Sequence, residues 1–125
     1  MPDPRATLLP RPARMAGIAL RTFHLGAMAL LVGGAWYGAP EAALRGALTA
    51  VVLSGAGLVV SEASHSRHWI YQGRGLLVLA HLAAVGLARS CGPGALLAAV
   101  VIGAVGSHLP KPLRAWSLRH RAVVD

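Results

Sequence analysis

Acidic residues are scarce in this chain: four Asp and Glu among 125 residues, against twelve Lys and Arg. A di-metal carboxylate bundle needs two E-x-x-H motifs plus two further carboxylates, and this chain has one E-x-x-H, at Glu62–His65. No paired carboxylates, Ser-His-Asp arrangement or Gly-rich phosphate loop is present, which argues against hydrolysis and phosphoryl transfer. The single cysteine, Cys91, excludes an internal disulfide and a cysteine-based zinc or iron–sulfur centre. Charge is low overall, 13% of residues, about half the roughly 25% of a soluble domain.

What fills the space is apolar: 55% of residues are hydrophobic, with fifteen glycines. The apolar residues fall in four blocks, at about 16–37, 42–61, 74–90 and 94–109. A block of some 20 residues at about 1.5 Å per residue spans a hydrocarbon core of about 30 Å. The sequence therefore predicts an all-α fold, a four-transmembrane-helix up-down bundle over residues 15–110. Residues 1–14, with Pro2, Pro4, Pro10 and Pro12 among basic residues, read as a disordered basic tail. Met15 offers an alternative start to Met1. Residues 111–125 read as a basic amphipathic tail lying on the membrane surface.

The net charge of +8 would suggest nucleic acid in a soluble protein, but its distribution follows the membrane instead. Arg5, Arg11, Arg14, Arg21, Arg67, Arg74, Lys111, Arg114, Arg119 and Arg121 fall on one side of a four-span arrangement, and Arg45 and Arg89 on the other. The positive-inside rule then gives N-in/C-in topology in a bacterial inner membrane, both termini cytoplasmic, with anionic lipid at the inner face. Trp36 and Tyr37 mark the outer interface; Trp69, Tyr71 and Trp116 mark the inner one. Small residues recur every four positions: Gly26, Gly34 and Gly38; Gly46, Ala50 and Ser54; Ala80, Ala84 and Ala88; Ala95, Ala99, Gly103 and Ser107. Such rows let helix backbones approach. They suit bundle packing, or a homo-oligomer face on the fourth helix.

Two histidines stand inside apolar blocks, where an ionisable residue asks for an explanation. His24 in the first block and His81 in the third lie roughly 10–12 Å from the inner boundary. Diagonal helices of an up-down bundle would bring the two rings face to face. Two neutral imidazoles in that arrangement can supply both axial ligands of haem b. Arg21, one turn below His24, and Arg74, two turns below His81, would suit the propionates. The function this implies is electron transfer, or the anchor of a redox complex, with other membrane redox subunits or quinone as partners and no catalysis. Each histidine alone also fits a simpler role, donating to a backbone carbonyl or a Ser/Thr hydroxyl across a helix interface. The alternative function is then a cofactor-free structural or assembly subunit of a membrane complex.

Weaker metal candidates remain. Met28, one turn above His24, adds a thioether that suits copper, though methionine also fills gaps in cores. Glu62, His65 and His68 form E-x-x-H-x-x-H, a surface metal site or an interfacial polar cap. His108 ends the fourth block as a quinone partner, a substitute ligand or an interfacial histidine. The run from Phe23 to Trp36 (F-H-L-G-A-M-A-L-L-V-G-G-A-W) and the R-H-W of Arg67 to Trp69 resemble small bacterial four-helix membrane proteins of the copper-resistance D type. More loosely, the layout resembles the haem-carrying anchor subunits of respiratory complexes. Copper handling or haem association is what those resemblances imply; copper or small-solute transport stands as a further alternative function.

Overall fold

The computed structural model describes residues 12–65, 69–119 and 122–123. Among them are five α-helices: α1 (Pro12–Trp36), α2 (Glu41–His65), α3 (Gly73–Cys91), α4 (Pro93–His108) and α5 (Lys111–Ala115). A 3-10 turn at Trp69–Tyr71 precedes α3, and two short strands, β1 (Trp116–Ser117) and β2 (Ala122–Val123), follow α5. Pro12 takes the first position of α1, where its missing N–H costs no helical bond, so the helix begins earlier than residue 16. The first eleven residues, Arg67, His68 and Arg121 lie outside the described residues.

The sequence predicts four spanning helices; the structure has three that are long and apolar enough, Arg14–Trp36, Glu41–Ser64 and Gly73–Cys91. The fourth apolar helix, Pro93–His108, has 16 residues, about 24 Å of rise against a core of about 30 Å. Gly92-Pro93 at one end and Pro110 at the other hold the block to the 16 residues, 94–109, that its sequence already marks, so its apolar composition alone counts it as a span. With three such helices rather than four, an even number of crossings no longer places both termini on one side.

Two hairpins make up the bundle. In the first, Gly38 turns the chain with φ 71°, a conformation that costs glycine little. The amides of Tyr37 and Ala39 bond back to Gly33 and Gly34 at 3.0 and 2.8 Å. Pro40 then accepts the first amides of α2, from Ala43 and Leu44. In the second, Gly92 turns at φ 77° and Pro93 opens α4. Both hairpins are antiparallel. Gly34 packs on Leu44 and Gly57 on Leu20 in the first; Gly103 packs on His81 and Gly106 on Leu77 in the second. The hairpins meet chiefly where α1 touches α4.

The core is small: Ala27, Met28 and Leu31 from α1, Val51 from α2, Leu96 and Ala99 from α4. Large side chains such as Leu25, Leu30, Leu53, Val60, Leu82 and Leu87 face outward. That distribution fits hydrocarbon surroundings, where apolar side chains gain nothing from hiding and backbones are satisfied within helices. The protein is therefore a helical, membrane-associated chain.

Candidate functional site: a histidine layer over a charged clasp

His24 of α1 and His81 of α3 point into the space between the hairpins, with ring centroids 6.0 Å apart and planes tilted by 50°. The backbones of α1 and α3 approach little elsewhere, so the rings span the diagonal.

Hydrogen bonding fixes the state of each ring. His24 Nδ1 lies 2.8 Å from Ser54 Oγ, and that hydroxyl lies 2.6 Å from the Ala50 carbonyl. The hydroxyl has one proton and the carbonyl can only accept, so Ser54 donates to Ala50 and His24 Nδ1–H donates to Ser54. His81 Nδ1 lies 2.8 Å from the Ala99 carbonyl, and again Nδ1 must donate. Both rings are assigned as the neutral Nδ1–H tautomer, with the lone pair at Nε2. Gly55 gives close room to the first ring, and Gly103 lies in ordinary contact with the second. A Cβ at Gly55 would sit 3.2 Å from His24 Cε1, and one at Gly103 would sit 3.5 Å from His81 Nδ1. Gly103 stands one turn beyond Ala99, where a larger residue would cover the carbonyl that His81 uses.

Below this layer Glu62 joins three helices. Its Oε1 lies 3.1 Å from Arg21 Nη2 of α1 and its Oε2 3.3 Å from Arg74 Nη1 of α3. Arg74 also donates through Nε to Gln72 Oε1 at 2.7 Å. The two arginines that the sequence offers as propionate partners thus share one carboxylate, leaving the cluster with one net positive charge. Glu62 is engaged by arginines of α1 and α3. His65 ends α2, with its side chain outside the described part. Among the described residues no group of three or more His, Cys, Asp or Glu is placed to hold a metal ion.

Met28 is a core residue, 2% exposed, packed in the cluster with Leu31, Val51 and Leu96. His108 is exposed at the end of α4. Two participants escaped sequence reading. Ser54 appears only as a small-residue position, and the Ala99 carbonyl carries no side-chain signal at all. The antiparallel register of α1 on α2, set by Gly38-Ala39-Pro40, could have paired residue 24 with residue 54.

Compared with protein-family models, with curated proteins and with solved structures, the chain matches none. The resemblance to the copper-resistance D type accordingly rests on the quoted residues alone.

Proposed function

We propose that this chain is a structural or assembly subunit of a membrane complex, with its polar groups used to hold its own helices together. The observation that carries this reading is that those groups find partners inside the chain: His24 on Ser54, His81 on Ala99, and Glu62 on Arg21 and Arg74. Each bond links residues on different helices, where an interhelical hydrogen bond in lipid averages about 0.6 kcal/mol. The two histidine bonds and the Arg21 pair lie within a hairpin, whereas the Glu62–Arg74 pair, the contact of the two rings and the Met28 cluster run between the hairpins. Its wide apolar exterior is open to lipid and to neighbouring helices. Native gel electrophoresis of membranes solubilised in mild detergent tests the proposal. A band well above the 12.9 kDa of one chain, preserved in the His24→Gln/His81→Gln protein, supports it. Migration as a lone monomer in every detergent opposes it.

A second reading, haem b between α1 and α3, is favoured by the convergence of the two rings. Their spacing is that of two imidazoles facing one metal, with bonds of about 2 Å plus half a ring on either side. With both Nδ1–H groups engaged, the Nε2 lone pairs are oriented as ligating histidines usually are. In this reading His24 and His81 hold the iron, which supplies one-electron chemistry. Arg21 and Arg74 then turn partly from Glu62 toward the propionates. A dithionite-reduced minus oxidised spectrum of protein expressed with full haem supply decides: an α-band lost in His24→Gln and in His81→Gln supports haem, and a flat spectrum removes it.

A further inference from the structure

The tail after α4 does not run free along the end of the bundle. It folds back on the start of α3 and is fastened there. Ser117 pairs with Gln72 in an antiparallel bridge, and both residues are fully buried. The Leu118 amide bonds to the Tyr71 carbonyl at 3.0 Å. The Leu113 carbonyl and the Arg114 Cα lie so close to Gly73 that a Cβ there would collide with the Leu113 oxygen. Strand β2 returns antiparallel on β1, pairing Trp116 with Val123 and Ser117 with Ala122.

This fastening fixes the position of three cations. Lys111 and Arg114 belong to α5, which packs on α3. Arg119 sits in the turn after β1, its guanidinium 5.6 Å above the Tyr71 ring, within cation–π range. Neither acid among the described residues serves them. Glu41 faces Arg45 at the opposite end of the bundle, and Glu62 is bound to Arg21 and Arg74. Interleaved with the cations are exposed apolar side chains: Leu113, Trp116 and Leu118. Cations alternating with Leu and Trp, at the end of three apolar helices, match the boundary between headgroups and acyl chains.

We propose that the docked tail, with Lys111, Arg114 and Arg119 around the Tyr71–Arg74 turn, is a preformed binding site for the phosphate of anionic phospholipid headgroups. It rests on the membrane character of the chain and not on its role as a subunit, so either can fail alone. Charge complementarity selects an anionic over a zwitterionic lipid, and the apolar side chains select a lipid over a soluble phosphate. Tyr71 holds Arg119 in place before the lipid arrives, which lowers the ordering cost of binding.

The test uses the full chain carrying Trp36→Phe, so that Trp69 and Trp116 near the tail report. Phosphatidylglycerol with brominated acyl chains is titrated into detergent-solubilised protein and tryptophan quenching is followed. Quenching is expected at lower lipid concentration with phosphatidylglycerol than with phosphatidylcholine, and the difference is expected to shrink at high salt. Each of Lys111→Gln, Arg114→Gln and Arg119→Gln is expected to weaken phosphatidylglycerol binding by about fivefold, the equivalent of one surface cation. Tyr71→Leu, which keeps every charge, is expected to weaken it less than Arg119→Gln. Equal quenching by the two lipids overturns the proposal, as does competition by inorganic phosphate as effective as that by the lipid. If a Gln variant loses its helical far-UV signal, Arg119→Lys replaces it; undiminished preference for phosphatidylglycerol is expected there, and loss of the preference with the fold intact counts against the charge argument.

Discussion

Replacing Ser54 with alanine removes the acceptor for His24 Nδ1–H and leaves the rest of the α1–α2 seam in place. Ser54 is 4% exposed and accepts at 2.8 Å from the ring while donating to Ala50 at 2.6 Å. The donation is a local back-bond to its own helix, which contributes little. The cost therefore comes from the imidazole donor, which loses its serine acceptor and keeps only its backbone interaction with Val51. In water an unsatisfied buried donor costs about 1–3 kcal/mol. In a bilayer the unfolded reference also finds partners, and measured values average about 0.6 with a maximum of about 1.7 kcal/mol. We therefore expect Ser54→Ala to cost about 0.6–1.7 kcal/mol in SDS-driven unfolding from mixed micelles, followed by far-UV circular dichroism. A double-mutant cycle with His24→Phe isolates the pair, because the double variant then costs less than the sum of the singles by that amount. Thr49→Ala is the control. Its hydroxyl bonds only to the Arg45 carbonyl on the exposed face, and it should be near neutral. Additivity of Ser54→Ala and His24→Phe to within about 0.3–0.5 kcal/mol would refute the hydrogen bond and the tautomer assigned from it.

Gly75→Ala should be strongly destabilising, by about 1–3 kcal/mol, because a Cβ there collides with the Trp69 carbonyl and Ile70. Gly26→Ala and Gly46→Ala meet nothing within 4 Å and should be neutral or stabilising by up to about 1 kcal/mol from helix propensity; thermal unfolding in detergent separates the two classes. Arg74→Gln loses the Glu62 pair and the Gln72 bond and should cost about 1.5–3 kcal/mol. Arg21→Gln, whose side chain is 65% exposed, should cost at most about 1 kcal/mol. Equal costs for the two arginines in the same unfolding assay would show that Glu62 does not favour the inner partner.

Helix type and most helix positions were legible because apolar runs and Gly-Pro punctuation are local signals. The breaks at Gly38-Ala39-Pro40 and Gly92-Pro93 sit where those residues predict them. The number of spanning helices was misjudged although the block 94–109 already has the 16 residues of the helix; its apolar character was weighed and its shortfall against a core of about 30 Å was not. His24 and His81 stood out as polar residues in apolar sequence, and the structure brings them together. Their partners did not stand out, since a serine in a small-residue row and a backbone carbonyl leave no mark in composition. Glu62 suggested metal from its spacing to His65 and His68. Its actual neighbours, Arg21 and Arg74, are 41 and 12 residues away in sequence, a proximity that only helix packing creates. The fastened tail was also hidden. Its composition predicts a basic amphipathic tail on the membrane surface, whereas Gly73 permits a close approach of Leu113 that the sequence of the tail alone does not reveal.

The histidine layer, in which each ring is bonded within its hairpin and the two rings meet between the hairpins, is most directly tested by solid-state NMR of histidine-labelled protein in lipid bilayers. Expected are nitrogen shifts placing the proton on Nδ1 of both His24 and His81, and a through-space correlation between the two rings, assigned by its loss in His24→Gln and in His81→Gln. Protons on Nε2, or no correlation between the rings in folded protein, would contradict the docking of the hairpins through these residues.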